Sequence, residues 1–511
     1  MNLSSIIDRG ALYFPEKTAL AFGSDRFTYK DLKSATDRVA FYLRERGVRH
    51  GDRIAVYMPN RPEWLAAYYG IIRLGAVAVC IGAAYKKKEI EQLLNESATG
   101  RIVTCDELAA QVPKHSILPS LKDTIVWENE SGLESVFRSR SATTPKAFPP
   151  VDCDPDDACV ILFTGGTTGA PKGAMLTHRN ILANLEQTGV WISDSFKEGS
   201  EIVIAPLPMY HIFCLTSTLS FMKWGSLSVL ITNPRDLPAL VKEMGSWKFT
   251  TMTGVNTLFN GLLNTPGFDR LDFSALKVVV GGGAAVLKPV AERWQQVTGH
   301  YLTEAYGLTE TSPGACATPL GSAWDGTVGL PLPSTELSIR DEEFAELPVW
   351  TGAGDIEKHT GEICVRGPQV MKGYWNNPAE TANVLHDGWL KTGDVGHLDD
   401  RGRVTITDRK KDMILVSGFN VYPNEVEAVV AAHPGVLECA VVAVPDEKSG
   451  EAVKVVIVKK DPDLTKAAVI EYCRALLTSY KLPRHVEFRD VLPKTPIGKI
   501  LRRELRETLK G

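Results

Sequence analysis

Leu162–Asn180 reads LFTGGTTGAPKGAMLTHRN. Four glycines, three threonines, a proline and a lysine stand between Thr164 and Gly173, directly after the apolar run CVILF (159–163). A stretch this poor in large apolar side chains builds no core, so its use must lie in what it holds. Glycine lets backbone N–H groups approach phosphate oxygens closely. Gly165, Gly166 and Gly169 free the backbone, Thr164, Thr167 and Thr168 add hydroxyl donors, Lys172 adds charge and Pro171 stiffens the exit. Together they favour a triphosphate or pyrophosphate; a flexible surface loop is the bland alternative. Two common phosphate motifs fail here. Lys172 is followed by Gly173 and Ala174, which breaks GxxxxGK[ST], and GxGxxG is absent from the stretch.

Outward from this loop, β-rich apolar runs alternate with helical patterns. DRIAVYMP (52–59) precedes PEWLAAYYGIIRLG, and LKVVVGGGAAV (276–286) follows the same plan. The alternation predicts an α/β protein with layered subdomains and buried, mostly parallel strands. From about 130 to 155 the chain is polar and proline-rich and reads as a loop. After about 325, short strands and turn signals predict a β-rich subdomain. The last hundred residues read as a small α+β domain, with the boundary at the charged run around Lys411. The expected domains are 1–410 and 411–511.

The 511 residues are 44% apolar and 23% charged, as in ordinary globular chains. A net charge of −4 argues against a general nucleic-acid binder. Nine cysteines are scattered without a CxxC or a Cys/His cluster at zinc spacing. They read as reduced core residues in a cytoplasmic setting, a catalytic cysteine being the alternative. MNLSSIIDRGALYFPEK lacks the pattern of a signal peptide, and no apolar run suggests a membrane span.

Four further motifs occur in a fixed order: YGLTET (306–311), WLKTGDVG (389–396), DRKKDMILVSGFNVYPNEVE (408–427) and PKTPIGKILRREL (493–505). With the glycine-threonine loop, they make the chain resemble the adenylate-forming superfamily of acyl-CoA synthetases, luciferases and adenylation domains. ITNPRDLPALVKE (231–243) and TGVNTLFNGLLN (253–264) look most like bacterial long-chain fatty acyl-CoA synthetases.

The resemblance implies a two-step ligase using ATP, Mg2+ and coenzyme A. A carboxylate attacks the α-phosphate, and the thiol of coenzyme A then displaces AMP. Thr164–Lys172 would hold the β- and γ-phosphates, with Thr168 and Glu310 near the metal. Thr309 would bind a phosphate oxygen, and Tyr306 beside Gly307 would stack on adenine. Asp394 would accept the ribose hydroxyls and Arg409 would assist. Lys499 would reach the α-phosphate and attacking carboxylate, and His211 would orient that carboxylate. Gly283, Ala284 and Ala285 would border the adenine and acyl pockets. The small domain would rotate about Lys411, exchanging Lys499 for the loop Ser417-Gly418-Phe419 as a thiol channel. Each residue also has a bland reading: a turn for Asp394, a capped helix start for Thr309–Glu310, a core histidine for His211, a solvated lysine for Lys499, and a tight turn for the glycines.

His211–Ser217, Trp224, Thr253–Thr257 and Gly281–Gly283 are expected to line the acyl pocket. No Arg or Lys stands among them for a second carboxylate, and no acid for an amino group. An uncharged apolar acid remains, with long-chain fatty acid favoured by the resemblance. Medium-chain, cyclic or aryl acids are the first alternative. An acyl-AMP ligase loading a carrier protein is the second. Fatty acids partition into membranes, so peripheral attachment at the inner membrane face is an expectation; a homodimer is left open.

Overall fold

The computed structural model describes residues 1–127, 147–165 and 171–507. Gly166, Thr167, Thr168 and Gly169, and most of the loop expected at 130–155, lie outside them.

Two large sheets form the body. In the first, Arg53–Tyr57, Val77–Ile81, Arg101–Cys105, Asp123–Trp127 and Ala158–Gly165 run parallel. The hairpin strand Pro171–Thr177 and the short Gly373–Tyr374 close one edge antiparallel. The second sheet has a parallel centre of Leu302–Gly307, Val278–Gly282, Thr251–Gly254, Ile202–Ala205, Leu227–Leu230 and Thr18–Phe22. Parallel strands covered on both faces read as continuous apolar runs, which is why VAVCI (77–81) shows no alternation and is buried throughout.

Helix Pro62–Arg73 joins the sheets, and all twelve of its residues are buried. Proline at its start supplies a preset φ where no N–H is needed. Its apolar residues belong to one core cluster reaching residues of both sheets. Arg73 inside this core meets Asp8 at 2.7 Å and Asp37 at 2.9 Å, so the buried charge is paired.

The β-rich part is a third sheet built on Glu336–Arg340, Gly361–Arg366, Trp389–Leu398 and Val404–Arg409, with the short Leu385–His386 at its edge. The chain leaves this sheet at Arg409 and enters a fourth at Ile414. That fourth sheet carries helices Pro423–Ala431 and Lys466–Arg474 and has its own apolar core. It also contains a parallel strand, His485–Phe488, and is followed by helix Arg502–Glu507, neither of which the sequence pattern separates from its surroundings.

Candidate active site

A cavity of about 870 Å3 opens where the large body meets the small domain. Strand Ala158–Gly165 brings Thr164 to its wall, and the returning strand Pro171–Thr177 brings Lys172 opposite, in register Thr164↔Lys172. The end of the quoted stretch, THRN, is a helix start. Thr177 Oγ1 accepts from Asn180 N at 3.1 Å, and Asn180 Oδ1 accepts from Thr177 N at 2.9 Å. This reciprocal cap starts helix His178–Ile192, so the hairpin exits into a fixed element.

Lys172 is not left free. Its ammonium pairs with Glu380 and lies 5.6 Å from the Tyr374 ring centroid. The Tyr374 hydroxyl donates to Glu310 Oε1 at 2.7 Å. Glu310 sits in the short 3-10 turn Thr309–Thr311, so TET is both a turn and a cavity wall. The turn needs Gly307: a Cβ there would stand 1.8 Å from the Pro313 carbonyl oxygen.

Asp394 and Arg409 face each other on paired strands. Asp394 is 5% exposed. Its Oδ2 accepts from the Tyr306 hydroxyl at 2.8 Å, and its Oδ1 lies 3.3 Å from Arg409 Nε. The Asp394 charge raises the Arg409 pKa above its usual value. Tyr306 lines the cavity and packs into an apolar cluster with Cys316, Ile339 and Ile363. Besides the ring surface expected for adenine, it therefore supplies a hydroxyl committed to Asp394.

Lys499 arrives from the small domain. Thr495 N donates to the Lys499 carbonyl at 2.7 Å, and Gly498 turns the chain with φ +91°. Thr257 of the large body donates its hydroxyl to the Gly498 carbonyl at 2.8 Å, which fixes the loop across the domain boundary. The Lys499 side chain runs along Gly283, where a Cβ would come within 3.2 Å of its Cε. Burial, and after it the Arg409 charge, lowers the Lys499 pKa to about 8, against the pull of Asp394 and Glu310. One lysine, one arginine and two carboxylates from two domains thus share a polar centre.

His211 stands before helix Ile212–Lys223, and its Nδ1 accepts from Phe213 N at 3.3 Å. The ring hydrogen is thereby assigned to Nε2. Burial, with the Lys499 charge second, lowers its pKa to about 3. It is a neutral hydrogen-bond donor at any physiological pH.

From this centre an apolar branch runs past Phe213 toward Trp191, Ile192, Phe221 and Val278. Thr253, Gly282 and Gly283 line the cavity as expected, whereas Gly254–Thr257, Gly281 and Trp224 do not; Trp224 packs edge-on against Phe196 at 6.4 Å. Ala284 and Ala285 are exposed beyond the lining. Lys411 lines the cavity, and burial followed by the Arg409 charge lowers its pKa. Ser417, Gly418 and Phe419 do not reach it in this arrangement. They form an exposed hairpin turn, with φ +51° and +85° at the first two, and Phe419 stacks on Tyr480 at 4.8 Å. Tyr374, Glu380 and Trp191 are cavity residues that sequence reasoning missed, whereas Val278 opens the segment 278–286 expected at the adenine and acyl pockets. GYW at 373–375 and an apolar helix end carry no local mark of a ligand.

The sequence matches the AMP-binding enzyme family model over residues 7–375 and the AMP-binding enzyme C-terminal domain over residues 425–499. The chain belongs to the AMP-binding enzyme family. A long-chain-fatty-acid–CoA ligase of Escherichia coli O6:H1 is 43% identical, with 100% of this chain and 95% of that protein covered. The anthranilate CoA ligase AuaEII in complex with anthranoyl-AMP superposes with a TM-score of 0.90 at 26% identity, covering 99% of this chain and 97% of that one. ATP-bound MatB from Rhodopseudomonas palustris gives 0.88 at 31% identity, covering 100% and 99%. The apo form of the same MatB enzyme gives 0.77.

Proposed function

We propose that this AMP-binding enzyme is an acid–thiol ligase that converts a long-chain fatty acid, ATP and coenzyme A into acyl-CoA, AMP and pyrophosphate. The observation that carries the reading is the placement of Lys499 beside Asp394 and Glu310 at the mouth of an apolar branch.

In the first half-reaction a carboxylate oxygen bonds to the α-phosphorus of ATP and the bond to pyrophosphate breaks. No protein nucleophile is needed, so positioning and charge carry the catalysis. Asp394, whose carboxylate offers only acceptors, suits the ribose diol, and Arg409 lies beside it at 3.3 Å. The Nε2–H of His211 suits one oxygen of the fatty carboxylate, while the Lys499 ammonium offsets charge shared by that carboxylate and the α-phosphate. Tyr374 engages one oxygen of Glu310 and leaves Oε2 for a hard divalent cation. Mg2+ held there with the triphosphate supplies neutralising charge.

In the second half-reaction the thiol loses its proton, its sulfur bonds to the acyl carbon and AMP leaves. Lys499 fills the site in the present arrangement. We therefore place a rotation about Lys411 between the two steps, bringing Ser417–Phe419 inward. The better superposition on ATP-bound than on apo MatB supports the present arrangement as the one for adenylation.

The branch walls at Trp191, Ile192, Phe221 and Val278 suit an uncharged chain, and similarity to long-chain relatives supports the chain length. No helix among the described residues is long and apolar enough to cross a membrane. Because fatty acids partition into bilayers, we extend the proposal to reversible attachment at a membrane surface.

The test is pyrophosphate release with ATP and Mg2+ over acids from acetate to oleate, with benzoate and cyclohexanecarboxylate, each with and without coenzyme A. Turnover is expected to peak for long-chain acids and to yield thioester. A peak at aryl or short acids overturns the substrate, and adenylate without thioester overturns the ligase reading.

A further inference from the structure

Two segments distant in sequence meet beside the first residues of the chain. His50 comes from the turn after helix Tyr29–Glu45, and Cys153 and Asp157 come from the acidic run VDCDPDD (151–157). His50 Nε2 lies 3.0 Å from Asp157 Oδ2, and Cys153 Sγ completes a cluster whose ligand atoms all lie within 4.8 Å of one another. None of the three lines the active-site cavity.

The crevice is shaped for these side chains. Gly75 has φ +69°, and a Cβ there would stand 2.3 Å from His50 Cδ2 and 3.2 Å from Cys153 Sγ. Asn2 Nδ2 donates to Cys153 Sγ at 3.5 Å. The Asp154 N–H donates to Asp157 Oδ2 at 2.9 Å and orients that carboxylate. Asp152, Asp154, Asp156 and Asp157 crowd negative charge here. Asp152 is held by the Met1 amine at 2.9 Å and Asp156 by Arg179 at 2.7 Å. The thiol is buried whereas His50 is exposed, so water can reach a fourth position.

An imidazole nitrogen, a sulfur and a carboxylate oxygen form a mixed donor set. Hard cations such as Mg2+ or Ca2+ favour all-oxygen sites, whereas Zn2+ takes this set with tetrahedral geometry and accepts water as the fourth ligand. We propose that His50, Cys153 and Asp157 bind one Zn2+ ion, tying Met1–Ser4 to the body of the protein. The Cys153 thiol gives its proton to solvent, and the imidazole hydrogen moves to Nδ1. The His50–Asp157 hydrogen bond is replaced by two metal bonds. Asn2 then serves as a donor to the coordinated sulfur, supporting it from outside the ligand set.

The test is a Co2+ titration of tag-free, chelator-stripped full-length protein, followed by Zn2+ competition. One equivalent of Co2+ is expected to produce sulfur-to-cobalt charge-transfer absorption, which Zn2+ then bleaches. The band should vanish in Cys153→Ser. Affinity should fall by about 100-fold in His50→Ala and by about 10-fold in Asn2→Ala. Zn2+ should raise the unfolding temperature of the wild type but not of Cys153→Ser. His50→Ala, at an exposed position, keeps the test open if the cysteine variant does not fold, and its thioester formation should stay within about twofold of wild type because the cluster lies off the cavity. Absence of the band in the wild type, its persistence in Cys153→Ser, or an unchanged Co2+ affinity in His50→Ala overturns the proposal.

Discussion

Tyr374 donates its hydroxyl to Glu310 Oε1 at 2.7 Å while the Lys172 ammonium lies over its ring at 5.6 Å. One side chain therefore links the phosphate-loop hairpin to the carboxylate proposed for the metal. Tyr374→Phe keeps the ring and removes the hydroxyl. A hydrogen bond to a charged group contributes about 1.5 kcal/mol, so kcat/KM for ATP should fall by about 10-fold. The Mg2+ concentration for half-maximal pyrophosphate release should rise with it. An unchanged Mg2+ dependence would separate Tyr374 from the metal.

The low pKa of Lys499 predicts an alkaline limb. Its folded-state pKa is about 8, and the charged form is the one proposed to act. Charge is present below that value and lost as pH rises through it. Because kcat/KM reports free-enzyme groups, its profile for adenylation should fall above about pH 8. Lys499→Arg keeps its charge, so whatever activity it retains should lack this limb. Lys499→Ala should lose pyrophosphate release yet still form thioester from supplied acyl-adenylate, because the second step does not use Lys499. Loss of both steps together would contradict the division of labour.

The layered α/β class was legible because it rests on local pattern, whereas the polar site residues were placed only by the resemblance of their motifs. Apolar runs mark buried parallel strands, and glycine, threonine and acidic motifs mark the turns at their ends. The acyl branch was only half legible. Phe213 lies two residues after His211 and could be placed, whereas Trp191 and Ile192, at the end of helix His178–Ile192, reach the branch only through the apolar cluster they share with Phe221 and Val278. Trp224 failed for the same reason, since its ring packs against Phe196 in that cluster without lining the cavity. The His50–Cys153 approach spans two elements a hundred residues apart and has no spacing signature.

Val278 offers a direct handle on chain length. It lines the branch with Trp191, Ile192 and Phe221. Val278→Phe should shorten the space for the acyl chain. Each methylene turned out of an apolar site costs about 0.8 kcal/mol, about fourfold in kcat/KM. The ratio of long- to medium-chain turnover should therefore fall stepwise with each displaced carbon, while kcat/KM for ATP stays near wild type. A uniform loss across all acids would place the end of the branch elsewhere.

Gly418 separates the two half-reactions by conformation. In the present arrangement a Cβ at Gly418 meets nothing within 4 Å, and the residue lies on an exposed turn at φ +85°. Asparagine tolerates that backbone region better than other side-chain-bearing residues. Gly418→Asn should therefore leave adenylation within about twofold, since a surface change away from the site is nearly neutral. Once the small domain rotates, the same side chain would stand in the proposed path of the coenzyme A thiol arm. Misplacing a reacting group by about 1 Å can cost about 100-fold, so thioester formation should drop by about that factor. Pyrophosphate release and thioester yield measured on one sample decide the matter. Equal losses in both would mean that the turn acts on folding, and no loss in either would remove Ser417–Phe419 from the thiol path.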